Sequence, residues 1–152
     1  KNVTMRMKLN DNLPPTRGDE DELGQVVRNL IGNAIKYTNP DTDVIVSLKL
    51  TSALPKDHAF RNLTRALVCS VQDHGEGIPK EHIPRLTERF YRVDTARTRK
   101  VGGTGLGLAI VKHVLNRHQA VLTIDSDIGK GSVFSIYLPV YEDIVNQQQQ
   151  LA

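Results

Sequence analysis

The pattern of apolar and polar residues predicts a strand and then a helix at the start of the chain. Apolar residues alternate with polar ones over residues 3–9, as in a half-buried strand. Asp19 and Glu22 stand three positions apart, the spacing of a helix N-cap and its capping-box partner. The helix is expected to run to about Tyr37 and to stop before Asn39-Pro40. Its apolar face comprises Leu23, Val27, Leu30, Ile31 and Ala34.

A second stripe on this helix is polar and lies beside the apolar face. At about 100° per residue, Asn29, Asn33 and Lys36 fall on one side of the helix, with Tyr37 at the border. Asparagines on a helix surface do not indicate a function by themselves, so the interpretation of this stripe depends on motifs elsewhere in the chain. The pattern predicts an amphipathic helix whose polar stripe faces a site.

Similar patterns in the rest of the chain predict four more strands and two more helices. The strands are expected over residues 43–50, 63–72, 121–125 and 132–138. The helices are expected over residues 80–86 and from about Gly105 to about His118. One apolar side of the longer helix comprises Leu106, Ile110 and Val114.

Three segments lack such periodicity. Residues 51–62 are predicted to form a surface excursion, and residues 88–101 a mobile loop. Residues 140–152, with four consecutive glutamines, are predicted to form a tail. The chain is therefore expected to hold one domain over residues 1–139, followed by the tail at 140–152.

Composition and charge describe an ordinary soluble domain. The 152 residues are 39% hydrophobic and 24% charged, and no apolar run is long enough to cross a bilayer. The net charge of +3 is too small to indicate a nucleic-acid partner. The single Cys69 excludes an internal disulfide and suits a reducing cytosol. The chain starts at Lys1 without an initiator methionine, so we expect it to be part of a longer protein.

The stretch Gly102–Ile110 is the strongest candidate for chemistry, with four glycines in six residues before an apolar segment. Glycine backbone can approach a ligand closely, and a helix starting at about Gly105 would direct N–H groups and its positive dipole end at an anion. The stretch is not a P-loop, because no Gly-Lys-Ser/Thr follows. It is not the dinucleotide fingerprint either, because Leu108 takes the place of the last glycine and no strand precedes it.

Several motifs, taken in order, resemble those of one family, the ATP-binding catalytic domain of bacterial two-component sensor histidine kinases. The motifs are Asn29-x-x-x-Asn33 with Lys36 and Tyr37 (N box), Asp73-x-Gly75-x-Gly77-Ile78 (first glycine box), Glu88-Arg89-Phe90-Tyr91 (F box), Gly103-x-Gly105-x-Gly107-Leu108 (second glycine box) and Gly129-Lys130-Gly131-Ser132 (last glycine motif). The resemblance covers residues 1–139. It implies the Bergerat fold, an α/β sandwich in which a mixed sheet of about five strands is covered on one face by three helices, with ATP beneath a flexible lid.

The resemblance also implies roles for the motif residues. Asn33 would be the Mg²⁺ ligand, because its amide offers an oxygen without a charge, and Asn29 would assist one turn away. Lys36 would contact phosphate, which completes the implied catalytic group. Asp73 ends an apolar strand and would accept a hydrogen bond from the adenine amino group. The implied nucleotide contacts are Asn29, Asn33, Lys36, Tyr37, Asp73, Gly75, Gly77, Ile78, Phe90, Arg92, Gly103, Thr104, Gly105, Leu106, Gly107, Leu108 and Ser132.

Residues 88–101 correspond to the lid in this resemblance. Phe90 would pin the lid against the domain. Because the segment has little periodic apolar content, we expect it to become ordered only when a triphosphate supplies an anionic partner. The candidate cations for that contact are Arg92, Arg97, Arg99 and Lys100.

The phospho-acceptor is expected outside this chain, because none of the five histidines is followed by an acidic residue. The resemblance implies an acceptor histidine on a separate hairpin of the parent kinase, a response regulator downstream, a homodimeric membrane-anchored parent and a monomeric cytoplasmic fragment. Two alternatives stay open, namely an ATPase resembling gyrase, Hsp90 or MutL, and a nucleotide-binding module without chemistry. In those ATPases a glutamate activates water where this chain has Asn29, and an amide cannot take a proton at neutral pH.

Overall fold

The computed structural model describes residues 1–151, in which two helices pack together against a mixed sheet. The strands are β1 (Val3–Leu9), β2 (Thr42–Thr51), β3 (Ala66–Asp73), β4 (Val121–Asp127) and β5 (Gly131–Pro139). The helices are α1 (Glu20–Tyr37), α2 (Ala96–Val101), α3 (Gly107–Arg117) and α4 (Tyr141–Leu151), with 3₁₀ turns at His58–Phe60 and Lys80–Arg85.

The strand order of the sheet is β1-β2-β3-β5-β4. β1 and β2 are parallel, and α1 provides the crossover connection that a parallel pair requires. All other neighbouring strands are antiparallel. The register places Asp73, the last residue of β3, opposite Ser132 on β5. An isolated bridge between Thr38 and Gly75 then brings the end of α1 to the same edge of the sheet.

The hydrophobic core lies between the sheet and one face of α1 and α3. Val26, Leu30 and Ala34 are the buried residues of α1, while the predicted Leu23, Val27 and Ile31 pack at its margin. The predicted limits of α1 are confirmed, since it ends at Tyr37 before Asn39-Pro40. Cys69 is buried in β3 among the same core residues.

The apolar side predicted for α3 is wrong at two of its three positions. Ile110 is 38% exposed and Leu106 precedes the helix, whereas Val111, Val114 and Leu115 are buried. This helix is apolar on several sides, so periodicity alone does not select the buried side. Packing against α1 and the sheet selects it instead.

The prediction of a half-buried β1 also fails for most of the strand. Met5, Met7 and Leu9 are each more than half exposed. Their partners in the register are Val44, Val46 and Leu48, of which the two valines are buried. The covering layer therefore reaches β2 and stops short of the edge strand.

The start of α1 combines a predicted contact with an unpredicted one. Asp19 caps the helix as expected, accepting a hydrogen bond from the Glu22 N–H at 2.9 Å. The capping-box return contact is not made, because the carboxylate of Glu22 pairs with Arg117 instead. The free N–H of Asp19 donates to Nε2 of His118 at 3.0 Å, so a histidine at the end of α3 completes the cap.

Two segments predicted to be irregular contain helices. Residues 96–101 form α2, whose start is a capping box between the side chains of Thr95 and Thr98. Residues 141–151 of the predicted tail form α4, and Ala152 lies outside the described residues. The guanidinium of Arg65 holds α4 to the domain through bidentate hydrogen bonds to the carboxylate of Asp143, at 2.9 and 3.0 Å.

Candidate functional site

A cavity of about 350 Å³ opens between α1, the end of β3, the lid segment and the start of α3. It brings together all but two of the residues that sequence assigned to the nucleotide. The two exceptions are Phe90 and Leu106, which do not line it. Among residues not foreseen, Tyr91, Thr95, Thr98, Leu86 and Phe134 also line the cavity.

The polar stripe of α1 forms one wall of this cavity. Asn29 and Asn33 are half-buried there, and the more exposed Lys36 lies one turn closer to the helix end. The side-chain amide of Asn29 donates to the carbonyl oxygen of Gly107 at 3.5 Å. This contact joins the first residue of the polar stripe to the first residue of α3, so the stripe and the glycine-rich stretch face one another.

Asp73 forms the closed end of the cavity and is only 5% exposed. Its Oδ1 accepts a hydrogen bond from the Gly75 N–H at 2.9 Å. Burial raises the pKa of this carboxyl above its ordinary value of 3.8, and hydrogen bonds from the backbone of Gly75 and Ser132 oppose the rise. A carboxylate in this position retains acceptor capacity, which a ligand with an N–H donor can use.

The same desolvation makes the ionised Asp73 a cost to the empty protein. Because its folded-state pKa is raised, stability falls as the pH rises through that pKa and stays lower at neutral pH. Asp73→Asn keeps an oxygen for the Gly75 N–H and removes the buried charge. We expect the ligand-free variant to be more stable than the wild type at neutral pH, and the difference to shrink as the pH approaches 3.8. Urea unfolding at the two pH values measures this; a less stable variant at neutral pH would contradict it.

Thr38 supports this end of the cavity and was not foreseen. The residue is fully buried, and its Oγ1 accepts a hydrogen bond from the His74 N–H at 2.9 Å. The hydroxyl of Thr42 donates to the carbonyl of Asn39, so the short contact between the two threonines must be donated by Thr38. Thr38 therefore fixes the backbone that directly follows Asp73.

A second unforeseen hydroxyl, that of Ser126, orders the opposite side. It accepts from the Ile78 N–H at 2.8 Å and donates to the carbonyl of Gly131 at 3.0 Å. Since its single proton is thereby used, the 2.7 Å contact with Ser132 is donated by Ser132. The Ser132 oxygen then keeps acceptor capacity toward the cavity. No pattern in the sequence distinguishes Ser126 from other strand serines.

Gly77 is required by close packing as well as by its backbone angle. Its φ is +79°, and a Cβ there would stand 2.1 Å from the carbonyl oxygen of Asp127. Gly129 has a nearly equal φ of +82°, but a Cβ there would meet no atom within 4 Å. Comparing substitutions at the two positions therefore distinguishes the cost of steric overlap from the cost of a left-handed conformation.

We therefore expect Gly77→Ala to be much more destabilising than Gly129→Ala. The left-handed conformation costs roughly 1–2 kcal/mol in either variant. The overlap with Asp127 should add about 1–3 kcal/mol in the Gly77 variant alone. The free energies of unfolding in urea give the comparison, and equal losses in the two variants would show that packing at Gly77 is not restrictive.

The lid segment contains several arginines that contact protein groups. Arg92 donates to the carbonyls of Thr98, Gly102 and Gly103, and Arg99 pairs with Asp94 at 2.5 Å. Residues 96–101 of the predicted mobile loop form the helix α2. At the root of the lid, Tyr91 contacts His82 and lies 4.4 Å beneath the guanidinium of Arg85.

Phe90 does not pin the lid against the domain. Phe90 is 69% exposed, and its backbone adopts a φ of +66°, held by a hydrogen bond from its N–H to the Gly105 carbonyl at 2.9 Å. A Cβ on Gly105 would lie 2.8 Å from the Phe90 carbonyl carbon, so the two backbones are in contact. The lid root is thus fixed by backbone rather than by the aromatic ring.

Residues 18–142 match the family described as histidine kinase-, DNA gyrase B-, and HSP90-like ATPases. The chain belongs to this ATPase family. The match includes α1, the end of β3 and the glycine-rich stretch, so every wall of the cavity lies within it. The resemblance drawn from the sequence motifs is confirmed.

Relatives of this ATPase-family domain include sensor kinases. The phosphate regulon sensor protein PhoR of Pseudomonas aeruginosa is 47% identical over 121 residues, which make up 80% of this chain and 25% of that protein. The structure of the mycobacterial sensor histidine kinase MprB has a TM-score of 0.67 and 28% identity, over 90% of this chain and 81% of the other. Full-length ShkA in complex with AMPPNP has a TM-score of 0.70 and 25% identity, over 90% of this chain and 25% of the other.

These similarities confirm the expected fold, a mixed sheet with helices as in histidine kinase catalytic domains. The chain spans a quarter of the length of PhoR. Within residues 1–151, no helix has both the length and the apolar character that crossing a membrane requires.

Proposed function

We propose that this domain binds Mg²⁺–ATP in the cavity and donates the γ-phosphate to a histidine on a separate phospho-acceptor hairpin of a two-component sensor kinase. The main support is the joining of the α1 polar stripe to the glycine-rich start of α3, with the buried carboxylate of Asp73 at the far end. The α1 polar stripe and the start of α3 together suit a polyphosphate. The carboxylate of Asp73 suits a nucleotide base with an exocyclic amine. The AMPPNP complex of ShkA supports the same ligand class.

The donor set of the cavity fits a magnesium ion that is carried mainly by phosphates and water. Within residues 1–151, no group of three His, Cys, Asp or Glu side chains could hold a metal by itself. Mg²⁺ in nucleotide sites typically takes only one or two protein oxygens. Asn33 offers one such oxygen, with Asn29 one turn away and Lys36 available to phosphate. When bound, the metal would neutralise charge on the transferred phosphoryl group.

Transfer to a histidine is favoured over hydrolysis by the lack of a base at the phosphate end. The carboxylates that line the cavity among the described residues are Asp73, at the closed end, and Glu76, which pairs with the lid. Asn29 cannot accept a proton from water. The ATPase alternative therefore lacks its proton acceptor, and the intact glycine motifs argue against a degenerate module without chemistry.

None of the five histidines is followed by an acidic residue, and three of them are engaged in contacts within the domain. His74 contacts the Asp43 carbonyl, His82 contacts Tyr91, and His118 caps α1. We therefore place the acceptor on a hairpin elsewhere in the parent kinase, with the phosphate passing on to a response regulator. We further propose a homodimeric, membrane-anchored parent with this domain in the cytosol.

The test is to incubate the domain with ATP labelled on the γ-phosphate and with purified acceptor hairpins from sensor kinases. We expect label on a hairpin histidine, recognised by its lability in acid and stability in base. Release of labelled phosphate without transfer would support the ATPase alternative. Nucleotide binding without turnover would support the module without chemistry.

A further inference from the structure

The lid helix α2 is fastened to the body of the domain by Arg97. One guanidinium nitrogen donates to Oδ1 of Asn39 at 2.9 Å, and the other donates to the carbonyl oxygen of Thr38 at 2.7 Å. The carboxylate of Glu76 lies 3.7 Å from the same group. The side chain of Arg97 is only 23% exposed although it belongs to a short helix at the cavity mouth. Within residues 1–151, these three partners make no other hydrogen bond or ion pair with the lid.

The partners of Arg97 all lie at the Asp73 end of the cavity. Thr38 is the fully buried residue whose hydroxyl holds the His74 backbone, and Glu76 lies within the first glycine motif. Burial raises the pKa of Asp73, and the positive charge of Arg97 partly opposes that rise, in agreement with this placement. Arg97 therefore holds the lid at the end of the cavity that we assign to the base. The end that we assign to the phosphates is not involved in this contact.

The other end of α2 is held within the lid. Arg92 donates to the carbonyls of Thr98, Gly102 and Gly103, the last two at 2.8 and 3.1 Å. These contacts cap the end of α2 and restrain the glycine hinge. With Arg97 fixing the other side, α2 is held at the wall of the cavity by protein groups on both of its sides.

We propose that Arg97 is a positioning residue that closes the lid over the base end and thereby controls the exchange of nucleotide. The proposal rests on the proposed function for the identity of the ligand. The cavity beneath the fastened lid still measures about 350 Å³, within the range of small-molecule sites, so closure and occupancy are compatible. Because the partners of Arg97 are protein groups, we expect this contact to slow entry and exit of the nucleotide alike and to change the equilibrium affinity little.

An arginine is required by the shape of the contact. Its planar fork reaches the Thr38 carbonyl and the Asn39 amide oxygen at once, while its charge faces Glu76. Lysine has a single ammonium, so Arg97→Lys keeps the attraction to Glu76 and loses the bridge. The lysine variant should therefore lie between the wild type and Arg97→Ala.

The first measurement is hydrogen exchange in the nucleotide-free domain, which does not depend on the proposed function. Arg97→Ala should speed exchange of the amides of Arg99 and Gly102, which are hydrogen-bonded within α2, by about 10- to 100-fold. Arg99→Ala, followed at the Gly102 amide, is the matched control, because within residues 1–151 the side chain of Arg99 pairs only with the exposed Asp94. Equal exchange in the wild type and Arg97→Ala would overturn the proposal.

The second measurement is stopped-flow binding of a fluorescent ADP analogue. Arg97→Ala should raise both the association and the dissociation rate constants by about 10-fold or more, while Kd changes less than either rate. The rate constants of Arg97→Lys should lie between those of the wild type and those of Arg97→Ala. A rise in dissociation alone would show that Arg97 contacts the bound nucleotide, which overturns the gating role. If the wild type binds no ADP, the proposed function fails and hydrogen exchange still decides whether Arg97 fastens the lid.

Discussion

Asn33→Ala is expected to abolish phosphotransfer while leaving the fold intact. Asn33 is the side chain on the α1 wall that we assign to Mg²⁺, and a lost metal ligand removes charge stabilisation worth several kcal/mol, about 100-fold or more in rate. The residue is half-buried, and within residues 1–151 its side chain makes no hydrogen bond to protein. Its removal should therefore change the free energy of unfolding by less than about 1 kcal/mol.

The measurement combines labelled-ATP transfer with calorimetry of nucleotide binding in the presence and absence of Mg²⁺. Asn116→Ala is the matched control, because Asn116 is an exposed asparagine on α3 outside the cavity. The control should transfer phosphate like the wild type. Undiminished Mg²⁺–ATP binding by Asn33→Ala would show that the metal is held by other groups.

Asp73→Asn is expected to weaken ATP binding by about 10- to 100-fold. The substitution keeps the shape of the side chain and replaces a charged acceptor with a neutral one, and loss of a charge-assisted hydrogen bond costs roughly 1.5–3 kcal/mol. The same change should stabilise the empty protein at neutral pH, as argued from the raised pKa of Asp73. Opposite effects on stability and affinity would indicate that Asp73 serves ligand binding at the expense of folding stability.

Calorimetric titration with ATP and GTP tests the assignment of Asp73 to the base. Asp125→Asn is a suitable control, because it removes the same charge from an exposed position on β4. Its ATP affinity should match that of the wild type. Equal weakening of ATP and GTP by Asp73→Asn would show that Asp73 does not read the base.

Residues with local signals were the predictable part of this structure. Asp19 and Asn39-Pro40 set the limits of α1, because capping and the residue before proline act over a few positions. Asp73 could be singled out because a glycine turn follows directly after an apolar strand. Thr38 and Ser126 could not, because their importance comes from partners 36 and 48 residues away.

The helices α2 and α4 were not predicted from the sequence, for related reasons. The glutamines of α4 are good helix formers, and Arg65 supplies an anchor that lies far along the chain. The capping box of α2 uses Thr98 where Glu or Gln is usual, so its signal was weak. The contacts of Arg92 with backbone carbonyls in the lid could not be predicted either, because backbone acceptors leave no mark on a residue pattern.

The mutual packing of Gly77 and Gly131 restricts how this domain can vary in length. A Cβ on Gly77 would strike the Asp127 carbonyl, and one on Gly131 would strike the Asp73 carbonyl, so each turn lies against the backbone of the other. An inserted residue in either turn would displace both. The excursion over residues 51–62 has no such neighbour at the cavity, and surface loops accommodate added length at small entropic cost. Insertions should therefore accumulate at residues 51–62 and be absent where the two turns interlock.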